Sequence, residues 1–261
     1  MTVPGTFDTS ARELIHAGLQ NLDEARSLFR QLSASGFDAA RCGLLLDALQ
    51  HVCDPDVALR NLVDIVNAQV SQGRALDDIV PDDTAFRQLV AVLGVSDAMG
   101  KLMRFRPDLV QAAATDHCNS HLYNHDQRRA HVLESVGADP NDRMSPTATM
   151  DLADAATALR RTYRNQLAAI IAQDTMSDDP IALQPRISSE LSDLADAALE
   201  GALAIARHEI TGSEHCRFAI IGMGKLGARE LNYVSDVDLI YVVKAADADT
   251  SQQQLYRIGT K

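Results

Sequence analysis

The stretch Ile221-Gly222-Met223-Gly224-Lys225-Leu226-Gly227-Ala228-Arg229-Glu230-Leu231-Asn232-Tyr233-Val234-Ser235-Asp236-Val237-Asp238-Leu239 joins a glycine-rich turn to two aspartates. Upstream, Arg217 to Met223 is apolar and β-prone, with Phe218, Ile220 and Ile221, and reads as a strand. Gly222, Gly224 and Gly227 then permit a tight turn with no Cβ in the way. Glu230 and Leu231 are expected in a short helix after it. Backbone N–H groups at such a turn and helix start favour an anion. Lys225 adds a point charge for the same phosphate. Asp236 and Asp238 open an apolar run, Leu239-Ile240-Tyr241-Val242-Val243, which suits a central strand covered on both faces. In a strand the two carboxylates share one face, with Cα atoms roughly 6.5 Å apart.

That spacing suits hard cations such as Mg²⁺, which take oxygen ligands and keep several waters. A metal pair held there would stabilise the attacking and leaving oxygens of a phosphoryl or nucleotidyl transfer. Ser235 would cap or orient the acidic segment. Tyr233, beside Asn232, is expected to pack under the loop rather than to touch a base. Two other readings stand beside this one. Gly222-x-Gly224-x-x-Gly227 also fits the dinucleotide fingerprint, which places its acid about 20 residues on, after a crossover helix. Here the acids come sooner and precede the apolar run. A structural turn with two surface aspartates is the other alternative.

The same string resembles the signature of the glutamine synthetase adenylyltransferase/adenylyl-removing enzymes, within the DNA polymerase beta-like nucleotidyltransferase superfamily. The superfamily pattern is a hydrophobic strand, Gly-[Gly/Ser], a short spacer and Asp-x-Asp. Gly224-Lys225 and Asp236-Val237-Asp238 match it, with Lys225 following the family's own Gly-Lys-Leu-Gly form. A weaker resemblance covers Leu159-Arg160-Arg161-x-Tyr163-Arg164 and Ile187-x-x-x-Leu191-Ser192-Asp193-Leu194-Ala195-Asp196-Ala197. A fainter one covers Leu93-Gly94-Val95-Ser96-Asp97 to Pro107.

The resemblance implies Mg²⁺ on Asp236 and Asp238, and phosphate or nucleotide (ATP in the adding direction) at Gly222, Gly224, Lys225 and Ser235. It also implies glutamine synthetase as protein substrate and a PII signal protein as regulatory partner. Such enzymes carry two transferase domains. A motif that follows a long helical region matches the first, which removes AMP by phosphorolysis. The superfamily's third carboxylate has no counterpart on a strand here. Asp247 and Asp249 lie in the polar stretch Ala245 to Gln254 and read as solvated loop residues. The chain therefore reads as the N-terminal part of a longer enzyme, ending before that ligand and inactive by itself. An interaction module that docks glutamine synthetase or PII without turnover is the alternative.

Composition sets the outer bounds. A net charge of -12 opposes nonspecific nucleic-acid binding. No early apolar run would span a membrane, and Met1 to Asp8 lacks a signal-peptide pattern. Four cysteines, Cys42, Cys53, Cys118 and Cys216, show no paired spacing, which suits reduced thiols in the cytoplasm. With no tryptophan, Ala- and Leu-rich helices are expected to carry the core.

The expected fold is α+β: a helical N-terminal region over 1–150, a helical segment over 151–212, and the opening βαβ-like part of a transferase domain with a mixed sheet over 213–261. Helix signals include Ser10-x-x-Glu13, Asp54-Pro55 with Leu59, Leu62, Val63, Val66 and Val70, and Ser96. Residues 111–148 read as a short helix and loop. Thr157 to Gln173 and Ile187 to His208 read as helices, broken by Asp178-Asp179-Pro180 and Pro185, and a last helix starts near Gln252. His117, His121 and His125, with Cys118 between them and His131 beyond, would share a helix face able to hold Zn²⁺. The polar Asn119, Asn124 and Asp126 favour a surface segment instead. Arg160, Arg161, Arg164 and Arg186 are candidates to approach phosphate or an acidic protein surface, but a solvated face is the favoured reading, as it is for Arg104 and Arg106.

Overall fold

The computed structural model describes residues 9–79, 82–114 and 123–260. The chain divides into two compact units: Met1–Ser120 with Ile171–Pro180, and His121–Ile170 with Ile181–Lys261.

The first unit holds α1 (Ala11–His16), α2 (Leu22–Ala34), α3 (Ala39–Leu49), α4 (Pro55–Ser71), α5 (Leu76–Ile79), α6 (Asp83–Val95), α7 (Asp97–Met103) and α8 (Pro107–Ala114). Side chains start these helices where the sequence signals them. Ser10 and Glu13 close a capping box on α1. Asp54 accepts from the Val57 amide at 3.0 Å, ahead of Pro55 at the first position of α4. Ser96 accepts from the Met99 amide at the start of α7. Helix α4 packs against α2, α6 and α7, and Leu59, Leu62 and Val66 are fully buried. Two buried side-chain NH2 groups on it find carbonyls: Asn61 donates to Leu93 O and Gln69 to Met103 O, each at 3.3 Å.

The second unit holds α9 (His125–Ser135), most of α10 (Leu152–Thr175), α11 (Pro180–Glu209), β1 (Cys216–Gly222), α12 (Gly224–Ala228), β2 (Leu239–Ala245) and α13 (Gln252–Gly259). Two arginines tie α9 to α11. Arg129 grips Glu200 through two bonds, Nε to Oε2 at 2.7 Å and Nη2 to Oε1 at 2.6 Å. It also donates to the Pro140 and Asp142 carbonyls. Arg128, fully buried, pairs with Glu190 and with the Gln166 side chain.

Helix α11 departs from expectation. Pro180 starts it and Pro185 lies inside it, so the expected break is only the short link before Pro180. Proline's fixed φ is helical, and the bond it removes falls in the second turn, where Ile181 is exposed and water can satisfy the freed carbonyl. Downstream, Ile187, Leu191, Leu194, Ala197, Ala204 and Ile205 are buried, which outweighs that loss.

The fold is α+β, mostly helical, but the strands are not parallel. β1 and β2 pair antiparallel, Gly222 with Leu239, Ile220 with Tyr241 and Phe218 with Val243. This corrects the expected βαβ arrangement: α12 is one turn inside the excursion 223–238, too short to carry the chain back for a parallel pairing. Nor is β2 covered on both faces. Ile240, Val242 and Ile221 on one face are each nearly half exposed, whereas Phe218 and Ile220 on the other are partly buried. No helix among the described residues is long and apolar enough to cross a membrane.

Two substitutions test this packing. Leu194→Ala deletes a fully buried side chain of α11 and should cost about 2–5 kcal/mol. Asp54→Ala removes one cap and should cost about 1 kcal/mol. Urea midpoints of the purified chain check the order; equal losses would contradict the burial assigned to Leu194.

Candidate functional site

The glycine-rich turn sits between β1 and the acids, and each glycine has its own geometric reason. Gly222 ends β1, and a Cβ there would stand 2.9 Å from the Leu226 side chain. Gly227 lies against the Gly222 carbonyl, which a Cβ would meet at 2.6 Å. Gly224 alone of the three has positive φ, +54°, and a Cβ on it would lie 3.2 Å from Asp238 Oδ2. The turn is thus shaped to bring backbone close to one of the predicted carboxylates.

Asp238 is placed by the sheet. Its carbonyl accepts from the Met223 amide at 2.8 Å, extending the hairpin register by one pair beyond Gly222 and Leu239. Asp236 and Asp238 therefore lie just before β2, not within it, and both are exposed. Lys225 is exposed on α12, and Ser235 is half-buried. No side chain caps α12, so its first amides have no capping partner. Tyr233 is 42% exposed rather than packed away.

Helix α12 ends at Ala228, so Glu230 and Leu231 lie beyond it, not in it. The cause is a Schellman turn: Glu230 N donates to Lys225 O at 2.8 Å and Arg229 N to Leu226 O at 3.0 Å. The residue that must turn left-handed is Arg229, with φ 60°, where glycine is usual. A non-glycine residue there costs about 1–3 kcal/mol unless its surroundings hold it. Its guanidinium donates to Asp193 Oδ1 at 2.6 Å and to Ser189 Oγ at 2.9 Å. Next to it, Leu231 N donates to Ser192 Oγ at 3.3 Å. Leu226 and Leu231 are buried in one cluster with Ile170, Ile187, Leu191 and Leu194.

Sequence reasoning did not single out Ser189, Ser192, Asp193 and Arg229 as site-forming residues. The signal was present: Ser189, Ser192, Asp193 and Asp196 recur at helical spacing beside the apolar stripe Ile187, Leu191 and Leu194. A helix with adjacent polar and apolar stripes is built to receive a loop of mixed polarity.

Other candidates resolve differently. His117 and His121 lie outside the described residues, while His125 opens α9. Its ring comes within 4.8 Å of carboxylate oxygens of Asp193 and Asp196. Burial pushes the Asp196 carboxyl up, while His125 and Arg229 pull it down. A histidine with two carboxylates is a set that divalent metals accept, but Arg229 already places a positive charge on Asp193. Asp247 accepts from the Asp249 and Thr250 amides and the Thr250 hydroxyl, and lies 3.2 Å from the His215 ring. It shapes a turn. Arg106 pairs with Asp108, Arg104 with Asp64 and Arg186 with Glu190. A cleft of about 660 Å³ in the second unit is lined by Gly222, Gly227, Arg229, His125 and Asp196 among others, but not by Asp236 or Asp238.

The donor set at Asp236 and Asp238 fits Mg²⁺: two exposed carboxylates, one of them against a glycine, leave room for waters and phosphate oxygens. Gly227→Ala tests the turn. With backbone rather than a flexible side chain at 2.6 Å, it should cost about 1–3 kcal/mol and displace Asp238 from Gly224. Thermal unfolding of the chain checks this; an unchanged midpoint would contradict the close approach.

Comparison with known proteins places the chain in a family. The chain is 67% identical to the bifunctional glutamine synthetase adenylyltransferase/adenylyl-removing enzyme of Bifidobacterium longum strain DJO10A, over 98% of this chain and 24% of that protein. It is 32% identical to the enzyme of that name from Cutibacterium acnes, over 95% of this chain and 25% of the relative. For Mycobacterium avium the identity is 37%, over 80% and 20%. The chain thus spans about a quarter of the length of the curated relatives it matches. The family described as glutamate-ammonia ligase adenylyltransferase, whose members are nucleotidyltransferases, matches residues 86–259. By that match the chain belongs to the glutamate-ammonia ligase adenylyltransferase family.

Proposed function

We propose that this chain is part of an enzyme that regulates glutamine synthetase by nucleotidyl transfer, and that it carries the metal-binding end of the adenylyl-removing site. The observation that carries the proposal is the placement of Asp238 against Gly224, with Asp236 beside it at the entry to β2. The helical region that precedes the motif supports the removing direction, and the relatives' names include that activity.

In this reading Asp236 and Asp238 hold Mg²⁺, which when bound supplies charge stabilisation for the phosphate oxygens. The open first turn of α12, with Gly222, Gly224 and Lys225, receives the phosphate, and Ser235 supports the acidic segment. An oxygen of inorganic phosphate forms a new bond to the phosphorus of tyrosine-bound AMP. The bond to the tyrosine oxygen breaks, ADP leaves, and the phenolate takes up a proton. The adding direction, with ATP as donor, belongs to a second site of the longer protein. A PII protein is the proposed regulatory partner, and the unpaired Cys42, Cys53 and Cys216 support a cytoplasmic location.

A second reading has its own support: both acids are exposed and lie outside the cleft lined by Gly222, Gly227 and Arg229. By itself, then, this part of the chain would bind glutamine synthetase or PII without turnover.

Asp236→Asn with Asp238→Asn in the full-length enzyme should lower phosphate-dependent release of ADP from adenylylated glutamine synthetase by about 100-fold or more. ATP-dependent adenylylation should persist in the same preparation. Wild-type deadenylylation by the double variant would refute the assignment.

A further inference from the structure

We propose that Arg229 is a positioning residue, fastening the loop that carries Asp236 and Asp238 onto α11 through Asp193 and Ser189. The inference rests on the reading of Asp236 and Asp238 as the metal-holding pair. Arg229 is the one non-glycine residue with positive φ among the described residues. It holds the left-handed position of a Schellman turn, where glycine would end α12 without strain. An arginine at such a position, with its side chain engaged, points to a role for the side chain that offsets the backbone strain.

The side chain has a definite destination. Asp193 is nine-tenths buried, and its carboxylate takes the Arg229 guanidinium at 2.6 Å, with Ser189 one turn before it at 2.9 Å. Ser192, between them in sequence and fully buried, accepts from the Leu231 amide and donates to Ser188 O. These contacts, with buried Leu226 and Leu231, fix the first half of the excursion 223–238 on α11. The Met223–Asp238 hydrogen bond fixes its far end. A carboxylate at the end of a loop is placed only as well as the loop is anchored, and misplacement of about 1 Å can cost a hundredfold in rate. Arg229 acts through the loop, because its guanidinium is taken up by Asp193 and Ser189.

The test separates anchoring from helix termination by using glycine. Arg229→Gly relieves the backbone and deletes the guanidinium; Arg229→Lys keeps a charge without the fork. Asp193→Asn keeps the shape of the partner and removes its charge. Each is made in the full-length enzyme and assayed for thermal midpoint, kcat and KM in deadenylylation, and the Mg²⁺ concentration for half-activation. Asp236→Asn/Asp238→Asn is the control.

Arg229→Gly should keep its midpoint within about 2 °C. Its kcat should fall about 10–100-fold with KM for adenylylated glutamine synthetase little changed, and half-activation should need more Mg²⁺. Asp193→Asn should show the same pattern, Arg229→Lys a smaller one, and Arg229→Gly/Asp193→Asn no more than the larger single loss. If Arg229→Gly proves unstable, Asp193→Asn decides by the same readouts. Wild-type kcat and Mg²⁺ response in the stable variant, with the control inactive, would show that Arg229 only ends α12 and would overturn the inference while leaving the function standing. An active control would overturn both.

Discussion

The second unit depends on one docking event: the loop between β1 and β2 lies on α11. Leu226 and Leu231 bury against Ile187, Leu191 and Leu194, and the polar atoms between them land on Ser189, Ser192 and Asp193. The apolar contacts supply most of the driving force, at about 1.5–3 kcal/mol for each leucine removed from water. The polar contacts give direction. Arg229 balances the charge of buried Asp193, while the left-handed backbone it occupies costs stability, so the pair specifies one seating of the loop rather than adding much net stability.

From this anchor the geometry of the acids follows. The antiparallel register places Asp238 opposite Met223, and the absence of a Cβ on Gly224 lets the carboxylate approach the turn. Gly227 and Gly222 let α12 sit close to the end of β1. The arrangement differs from a dinucleotide site, in which a full helix leads to a parallel strand and the acid lies far from the glycines. Here the glycines and the acids are neighbours across one end of a hairpin, which suits metal-assisted transfer of a phosphate-bearing group.

Much of this was legible in the sequence because the signals were local. The caps at Ser10, Asp54 and Ser96, the strand before Gly222 and the helix from Gln252 depend on neighbouring residues and appear where they were read. What escaped depended on contacts far apart in the chain. Two apolar runs separated by a turn are compatible with parallel or antiparallel pairing, and only the shortness of α12 decides. Pro185 reads as a breaker until the burial downstream is known. Nothing local in the sequence marks Arg229 as an anchor; its partners Asp193 and Ser189 lie 36 and 40 residues upstream. His125 looked toward His117 and His121 in sequence, whereas in space it meets Asp193 and Asp196.

The most direct measurement is a crystal structure of the full-length enzyme soaked with Mn²⁺ and ADP, read by the metal's anomalous scattering. The account predicts a metal peak within coordination distance of the Asp236 and Asp238 carboxylates, with ADP phosphate against Gly224 and Lys225. A well-ordered site with ADP bound elsewhere and no metal on these two aspartates would contradict it.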